Sequence, residues 1–135
     1  MNALQRISPL LQVNSLAASI EYYSKLGFAK YWEDDGFCIL SRGDCDLFFS
    51  QKQVLVDLRK STARSKPDGY ADYDLHFHCA AGSIDPLWQE FTAAGVILDE
   101  FCDGPTDREY GIRDFSIKDP DGYRLVFGAP ITPQG

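Results

Sequence analysis

The chain carries the same order of apolar and polar stretches twice. In the first half, the apolar run Ile7–Val13 predicts a strand, which Pro9 confines to a sheet edge because proline cannot donate a ladder hydrogen bond. Leu16–Leu26 has apolar side chains at helical spacing, and Gly27 ends this predicted helix. The pattern predicts three further strands, at Phe28–Glu33, Phe37–Leu40 and Asp46–Ser50.

The second half repeats this order. A strand is predicted at Tyr73–Ala80 and a helix at Ile84–Ala94, which Gly95 ends. The turn sequence Asp119-Pro120-Asp121-Gly122 precedes the last strand. The remaining strands are predicted at Val96–Phe101, Ile112–Lys118 and Tyr123–Phe127. Between the halves, residues 52–72 are predicted to form a surface loop with a helical turn near Val54–Lys60.

One offset relates the two halves. The pairs Gly27 and Gly95, Tyr23 and Phe91, Asp35 and Asp103, and Gly36 and Gly104 are each 68 residues apart. A helix end, its core aromatic residue and the following turn therefore share one spacing, which indicates an internal repeat. We expect a single α+β domain over residues 1–135 with tandem βαβββ units at 5–51 and 73–130. Their curved mixed sheets are expected to surround a cavity.

The composition and net charge of the chain disfavour some classes of partner. The 135 residues carry a net charge of −7, which disfavours nucleic acid and favours a cationic small ligand. No apolar run approaches the roughly 18 residues of a membrane span, and the N-terminus has no apolar signal core. We therefore expect a cytoplasmic protein without a membrane partner. The widely spaced cysteines are expected to be buried, inert thiols: Cys38, Cys45, Cys79 and Cys102.

Strand alternation predicts which side chains line the cavity. Leu75, Phe77 and Cys79 form the apolar set that should meet the helix, so His76 and His78 should point into the cavity with Asp74. The 68-residue offset places Ser8 at the position of His76. On the closing strands, Phe48 and Val126 are expected at equivalent inward positions.

These motifs together resemble the vicinal oxygen chelate superfamily, which includes glyoxalase I, extradiol dioxygenases and bleomycin-resistance proteins. The resemblance rests mainly on Leu26-Gly27-Phe28 and on Tyr110–Phe115 running into Asp119–Tyr123. It implies a glyoxalase/bleomycin resistance fold, in which metal-dependent members hold their ion on four inward positions. Here those positions are Ser8, Phe48, His76 and Val126, so only one histidine is retained and no metal or other cofactor is expected.

The chain is most similar to the bleomycin-resistance branch, which sequesters its drug without chemistry. That similarity implies a homodimer that binds a cationic, partly aromatic small molecule. The implied ligand-binding candidates are Trp32, Asp34, Asp35, Phe37, Phe48, His76, His78, Tyr110 and Arg113. Three alternatives stay open: a divergent glyoxalase-like lyase or dioxygenase, a domain used only for protein association, and a metal ion held by His76 and His78.

Overall fold

The computed structural model describes residues 3–51 and 74–131. The chain divides into two compact units, residues 1–63 and 64–135. The predicted loop 52–72, its helical turn near Val54–Lys60 and Tyr73 lie outside the described residues. Among the helices of the described ranges, none is long and apolar enough to cross a membrane.

Unit 1 is a four-stranded sheet with one helix. Its elements are β1 (Leu10–Val13), α1 (Leu16–Lys25), β2 (Ala29–Glu33), β3 (Phe37–Arg42) and β4 (Cys45–Gln51). The strand order is β1-β4-β3-β2, with β1 parallel to β4 and the other pairs antiparallel. β1 begins only at Leu10, after Pro9, so the predicted start at Ile7 was three residues too early.

Helix α1 has defined ends and packs on the sheet through aromatic side chains. At its start, the Ser15 hydroxyl accepts a hydrogen bond from the Ala18 N–H at 3.1 Å. After its last turn, Gly27 adopts a φ of +82°, a conformation that favours glycine. The Tyr23 ring is fully buried and lies 4.9 Å from the Phe49 ring, centroid to centroid.

Unit 2 repeats the strand order of unit 1. Its elements are β5 (Asp74–His78), α2 (Ile84–Ala94), β6 (Ile97–Leu98), β7 (Thr106–Asp107), β8 (Ile112–Lys118) and β9 (Arg124–Pro130). The order is β5-β9-β8-β6, β5 is parallel to β9, and the short β7 pairs with β8. The prediction of an α+β fold with duplicated mixed sheets is therefore confirmed.

The predicted and observed elements of unit 2 differ only locally. The predicted strand Val96–Phe101 was too long, because the Asp99 carboxylate accepts a hydrogen bond from the Phe101 N–H and turns the chain. The predicted turn at Asp119 is present, and this carboxylate accepts hydrogen bonds from the N–H groups of Asp121 and Tyr123, each at 2.9 Å. Strand β7 was not predicted. The core of the unit is a cluster of aromatic rings from β5, α2, β8 and β9: Phe77, Phe91, Phe115 and Phe127.

All four cysteines are free thiols. Cys38 is fully buried, as predicted, whereas Cys45, Cys79 and Cys102 are only half-buried. Burial, together with the nearby Glu33 carboxylate, raises the pKa of the Cys38 thiol to about 11. Cys38 therefore stays protonated near neutral pH and behaves as a small core residue.

Candidate functional site

In unit 1, the sheet face opposite α1 is largely apolar. On β4, Leu47 and Phe49 are buried on the helix side, so Phe48 turns to the other face. The register places Phe48 between Leu10 of β1 and Ile39 of β3, and Ile39 lies beside Trp32 of β2. Four neighbouring strands thus contribute one continuous apolar row to this face.

Three predicted ligand-binding residues share that face. An irregularity in β2 between Lys30 and Trp32 shifts the register, so that Trp32 pairs with Ile39. Trp32 remains 55% exposed. Phe37 packs edge to face against Phe48 with ring centroids 5.5 Å apart. We call the surface formed by Leu10, Trp32, Phe37, Ile39 and Phe48 the aromatic face.

The turn between β2 and β3 carries the two predicted aspartates. The Asp34 carboxylate accepts a hydrogen bond from the Gly36 N–H at 3.0 Å, and the Asp34 N–H donates to the Phe37 carbonyl at 2.9 Å. Asp34 therefore has a structural role in this turn. Asp35 is exposed. Both carboxylates lie within three residues of Trp32 or Phe37, so the turn adds negative charge beside the aromatic face.

In unit 2, the face opposite α2 carries the two histidines. Leu75 is buried and Phe77 stacks on Phe127, which contacts Phe91 of α2. His76 and His78 consequently turn to the opposite face, and both are exposed. The register gives two rows across the sheet, His76–Val126–Ser116 and His78–Gly128–Asp114.

The same face contains a polar network that sequence reasoning missed. The side chain of Asp99 is fully buried. Its Oδ2 accepts hydrogen bonds from Ser116 Oγ at 2.6 Å and from Arg124 Nε at 2.9 Å. Arg124 also donates through Nη1 to Asp74 at 2.9 Å. An aspartate inside a predicted strand is the signal that could have indicated a buried polar site.

The network controls the charge of Asp99. Burial alone raises the pKa of this carboxyl, but hydrogen bonds from Ser116, the Phe101 N–H and Arg124 outweigh it, so the pKa lies below its usual value of 3.8. Asp99 is therefore ionised at neutral pH and paired with Arg124. This pair ties β9 to the chain segment that follows β6.

Two predicted residues do not join the histidines. Arg113 lies on the α2 side of β8, where its guanidinium donates to Asp85 at 2.9 Å and to Asp107 at 3.0 Å. These two bonds raise the pKa of Arg113. A surface cavity of about 250 Å³ adjoins this cluster. Tyr110 is 72% exposed in the turn before β8.

The four positions that the resemblance predicts for a metal lack a ligand set. Ser8, Phe48 and Val126 offer no imidazole or carboxylate, and His76 is the single strong donor among the four. Within the described ranges, no group of three or more His, Cys, Asp or Glu side chains could hold a metal. The register also places Leu10 beside Phe48, as His76 lies beside Val126. Cross-strand pairing therefore makes Leu10 the counterpart of His76. The 68-residue offset had predicted Ser8, which lies two residues earlier.

Comparison with protein families gives one match that spans nearly the whole chain. A family model described as the Glyoxalase/Bleomycin resistance protein/Dioxygenase superfamily matches residues 4–127. No curated protein matches the chain significantly. The family match includes both compact units and the motifs of the predicted resemblance.

Solved structures with the same fold include proteins of different roles. A bleomycin resistance determinant encoded on the transposon Tn5 aligns with a TM-score of 0.69 and 19% identity, over 94% of this chain and 98% of that chain. A bleomycin-binding protein complexed with bleomycin aligns with a TM-score of 0.62 and 20% identity, over 96% and 100%. A virulence protein from Salmonella typhimurium aligns with a TM-score of 0.68 and 23% identity, over 97% and 100%. At these identities the likeness shows the fold alone.

Proposed function

Because this chain belongs to the glyoxalase/bleomycin resistance protein/dioxygenase superfamily, we propose that it is a non-enzymatic small-molecule binding protein with a cationic, partly aromatic ligand. The observation that carries the proposal is the aromatic face of unit 1. Its apolar row crosses four strands on the side that α1 does not cover.

The chemistry of this face suits such a ligand. Flat heterocycles stack on aromatic rings, and cations are attracted to the ring faces. Trp32 is half-exposed and supplies the largest ring of the face. Asp34 and Asp35 add two carboxylates at the adjoining turn, and the net charge of −7 favours the approach of a cation.

The specific ligand we propose is a bleomycin-type antibiotic, and the biological role is drug sequestration. Support comes from two proteins of the same fold, one a bleomycin resistance determinant and one a bleomycin-binding protein in complex with the drug. We further propose a homodimer in the cytoplasm. The four free thiols are consistent with the reducing environment of the cytoplasm. The proposed dimer is tested by light scattering coupled to size-exclusion chromatography, which measures the oligomeric state.

The enzymatic alternative has less support. A lyase or dioxygenase of this superfamily that depends on a metal needs about three protein ligands. Phe48 and Val126 occupy two of the four positions, and the first is Ser8 by the 68-residue offset or Leu10 by the strand register, so three of the four lack a metal ligand. Metal analysis of the purified protein and activity assays after adding zinc, nickel, iron or manganese test this alternative directly.

Calorimetric titration with metal-free and copper-loaded bleomycin tests the binding proposal. We expect saturable binding that Trp32→Ala weakens at least about tenfold, since base-like stacking on an aromatic ring contributes about 1–3 kcal/mol. Phe101→Ala is the matched control, because Phe101 is an aromatic residue of unit 2 that is 84% exposed. No heat with either form of the drug, or equal effects of the two substitutions, would rule out the aromatic face as the drug site.

The carboxylates are tested separately by Asp34→Asn and Asp35→Asn. Asparagine at position 34 can keep the hydrogen bond to the Gly36 N–H, since its amide oxygen is also an acceptor. The turn should therefore persist while the charge is lost. We expect the double variant to bind more weakly than wild type at low salt, and the difference to shrink as salt screens the charges. A difference that is independent of salt would contradict the proposed charge attraction.

A further inference from the structure

His76 and His78 form an exposed pair on one strand. Both side chains leave β5 on the face opposite α2, because Leu75 and Phe77 occupy the helix side. Among the described strands, β5 pairs only with β9, so it is an edge of its sheet. Both histidines are exposed, so solvent and dissolved ions can reach the two imidazoles.

Two observations make their nitrogen atoms available as ligands. Among the described residues, neither imidazole has a hydrogen-bond or ion-pair partner. Beside His78 in the register is Gly128, so no side chain of β9 fills the space next to that ring. Residues i and i+2 of a strand are about 7 Å apart at Cα, a separation from which two imidazole rings can converge on one ion.

The nearest carboxylate on the same face is already engaged. Asp74 lies two residues before His76 and pairs with Arg124 at 2.9 Å. Asp74 is therefore not available as a third ligand for an ion bound by the two histidines. This agrees with the absence, in residues 3–51 and 74–131, of any group of three or more His, Cys, Asp or Glu side chains that could hold a metal. The pair offers two nitrogen ligands and leaves the other coordination positions of a bound ion open.

We propose that His76 and His78 form a bidentate site for a divalent transition-metal ion. Imidazole is a favourable ligand for Cu²⁺, Ni²⁺ and Zn²⁺, and water molecules complete the coordination of the ion. This site differs from the four-position family set, since His78 is not one of those positions and both ligands come from one strand. It does not depend on the proposed drug binding, which rests on the aromatic face of unit 1.

Calorimetric titration of tag-free protein with Ni²⁺ at pH 8 tests the site. We expect one ion per chain, and at least about tenfold weaker binding in either His76→Ala or His78→Ala, since one of two nitrogen ligands is lost. Cu²⁺ is expected to bind more tightly than Ni²⁺, following the general order of divalent affinities.

Two control variants separate the pair from other donors. The double variant His78→Ala with Gln89→His keeps two histidines but moves one to an exposed position of α2, and it should bind as weakly as His78→Ala. Cys79→Ser removes the neighbouring thiol and should bind like wild type. No uptake by wild type, wild-type affinity in the relocated variant, or loss of binding in Cys79→Ser would each overturn the proposal. Circular dichroism of every variant confirms that the surface substitutions keep the fold.

Discussion

Asp99→Asn replaces one carboxylate oxygen by an NH₂ group, yet the geometry of unit 2 predicts a large loss of stability. All three groups that bond to the Asp99 carboxylate are donors. Oδ2 accepts from Ser116 and Arg124, and Oδ1 accepts from the Phe101 N–H at 3.1 Å. Asparagine has one acceptor oxygen and an NH₂ group, so in either orientation at least one donor faces the NH₂ group.

The magnitude follows from the hydrogen bonds that the substitution removes or weakens. A buried donor left without a partner costs about 1–3 kcal/mol. The bond from Arg124 also loses the attraction between two opposite charges, because asparagine is neutral. The side chain is fully buried, so water cannot replace the missing acceptor. We expect a loss of about 3 kcal/mol in the free energy of unfolding, or roughly 10 °C in Tm for a domain of this size.

Thermal and urea unfolding of Asp99→Asn at pH 7 measures the loss, with Asp103→Asn as the control. Asp103 is an exposed residue of the same segment, so its substitution should change the free energy of unfolding by less than about 0.5 kcal/mol. If the two variants unfold at the same temperature, the network does not stabilise unit 2 and the reasoning is wrong.

The pH dependence has a defined sign. The pKa of Asp99 is lower in the folded protein than its ordinary value of 3.8, so its charged form stabilises the fold. This contribution is fully present above the ordinary pKa and is lost as pH falls through the lowered folded pKa. The stability difference between wild type and Asp99→Asn should therefore be constant near neutral pH and shrink below about pH 4. A difference that grows on acidification would contradict an ionised Asp99.

Three further predictions concern unit 1. Ser19 is fully buried and its hydroxyl has no partner among the described residues, so Ser19→Ala should stabilise by about 1 kcal/mol in urea unfolding, unlike Ser24→Ala on the exposed side of α1. Gly27→Ala should cost about 2–3 kcal/mol, because its φ is +82° and the new Cβ would lie 2.7 Å from Arg42 Nη1, which must then leave its hydrogen bond to the Leu26 carbonyl. Gly43→Ala should cost less, since nothing lies within 4 Å of its new Cβ. Cys38 should be the last thiol to react with iodoacetamide in native protein, because it is fully buried and its pKa is about 11; early alkylation, shown by mass spectrometry, would contradict this.

Much of the fold could be predicted from the sequence, because the local patterns of apolar residues and glycines indicate the same helices and strands that pack together in the structure. Helical spacing and a following glycine defined α1 and α2 to within one residue. Alternation correctly placed His76 and His78 on the face opposite the helix, since a strand with one buried side has a fixed orientation. The repeat was recognisable because glycine ends both helices, at Gly27 and Gly95.

The site was less predictable, because its important contacts cross the sheet. Nothing local to Asp99 indicates that Ser116 and Arg124, 17 and 25 residues away, will donate to it. Arg113 was expected with the ligand-binding residues, but alternation along β8 places it with Phe115 on the helix side. The pairing of Trp32 with Ile39 depends on the irregularity in β2, which leaves no clear signal in the sequence.

The parallel pairing of the first and last strand within each unit has a consequence for modularity. Leu10 pairs with Phe48 in unit 1, and His76 pairs with Val126 in unit 2. Every ladder among the described strands therefore begins and ends within its own half, and cutting the backbone between Gln51 and Asp74 breaks none of them. By this criterion each half can form its backbone pairing without the other, so residues 1–63 and 64–135 expressed separately should each show strand content by circular dichroism. Fragments that stay unfolded when expressed alone would show that one half depends on the other for its stability.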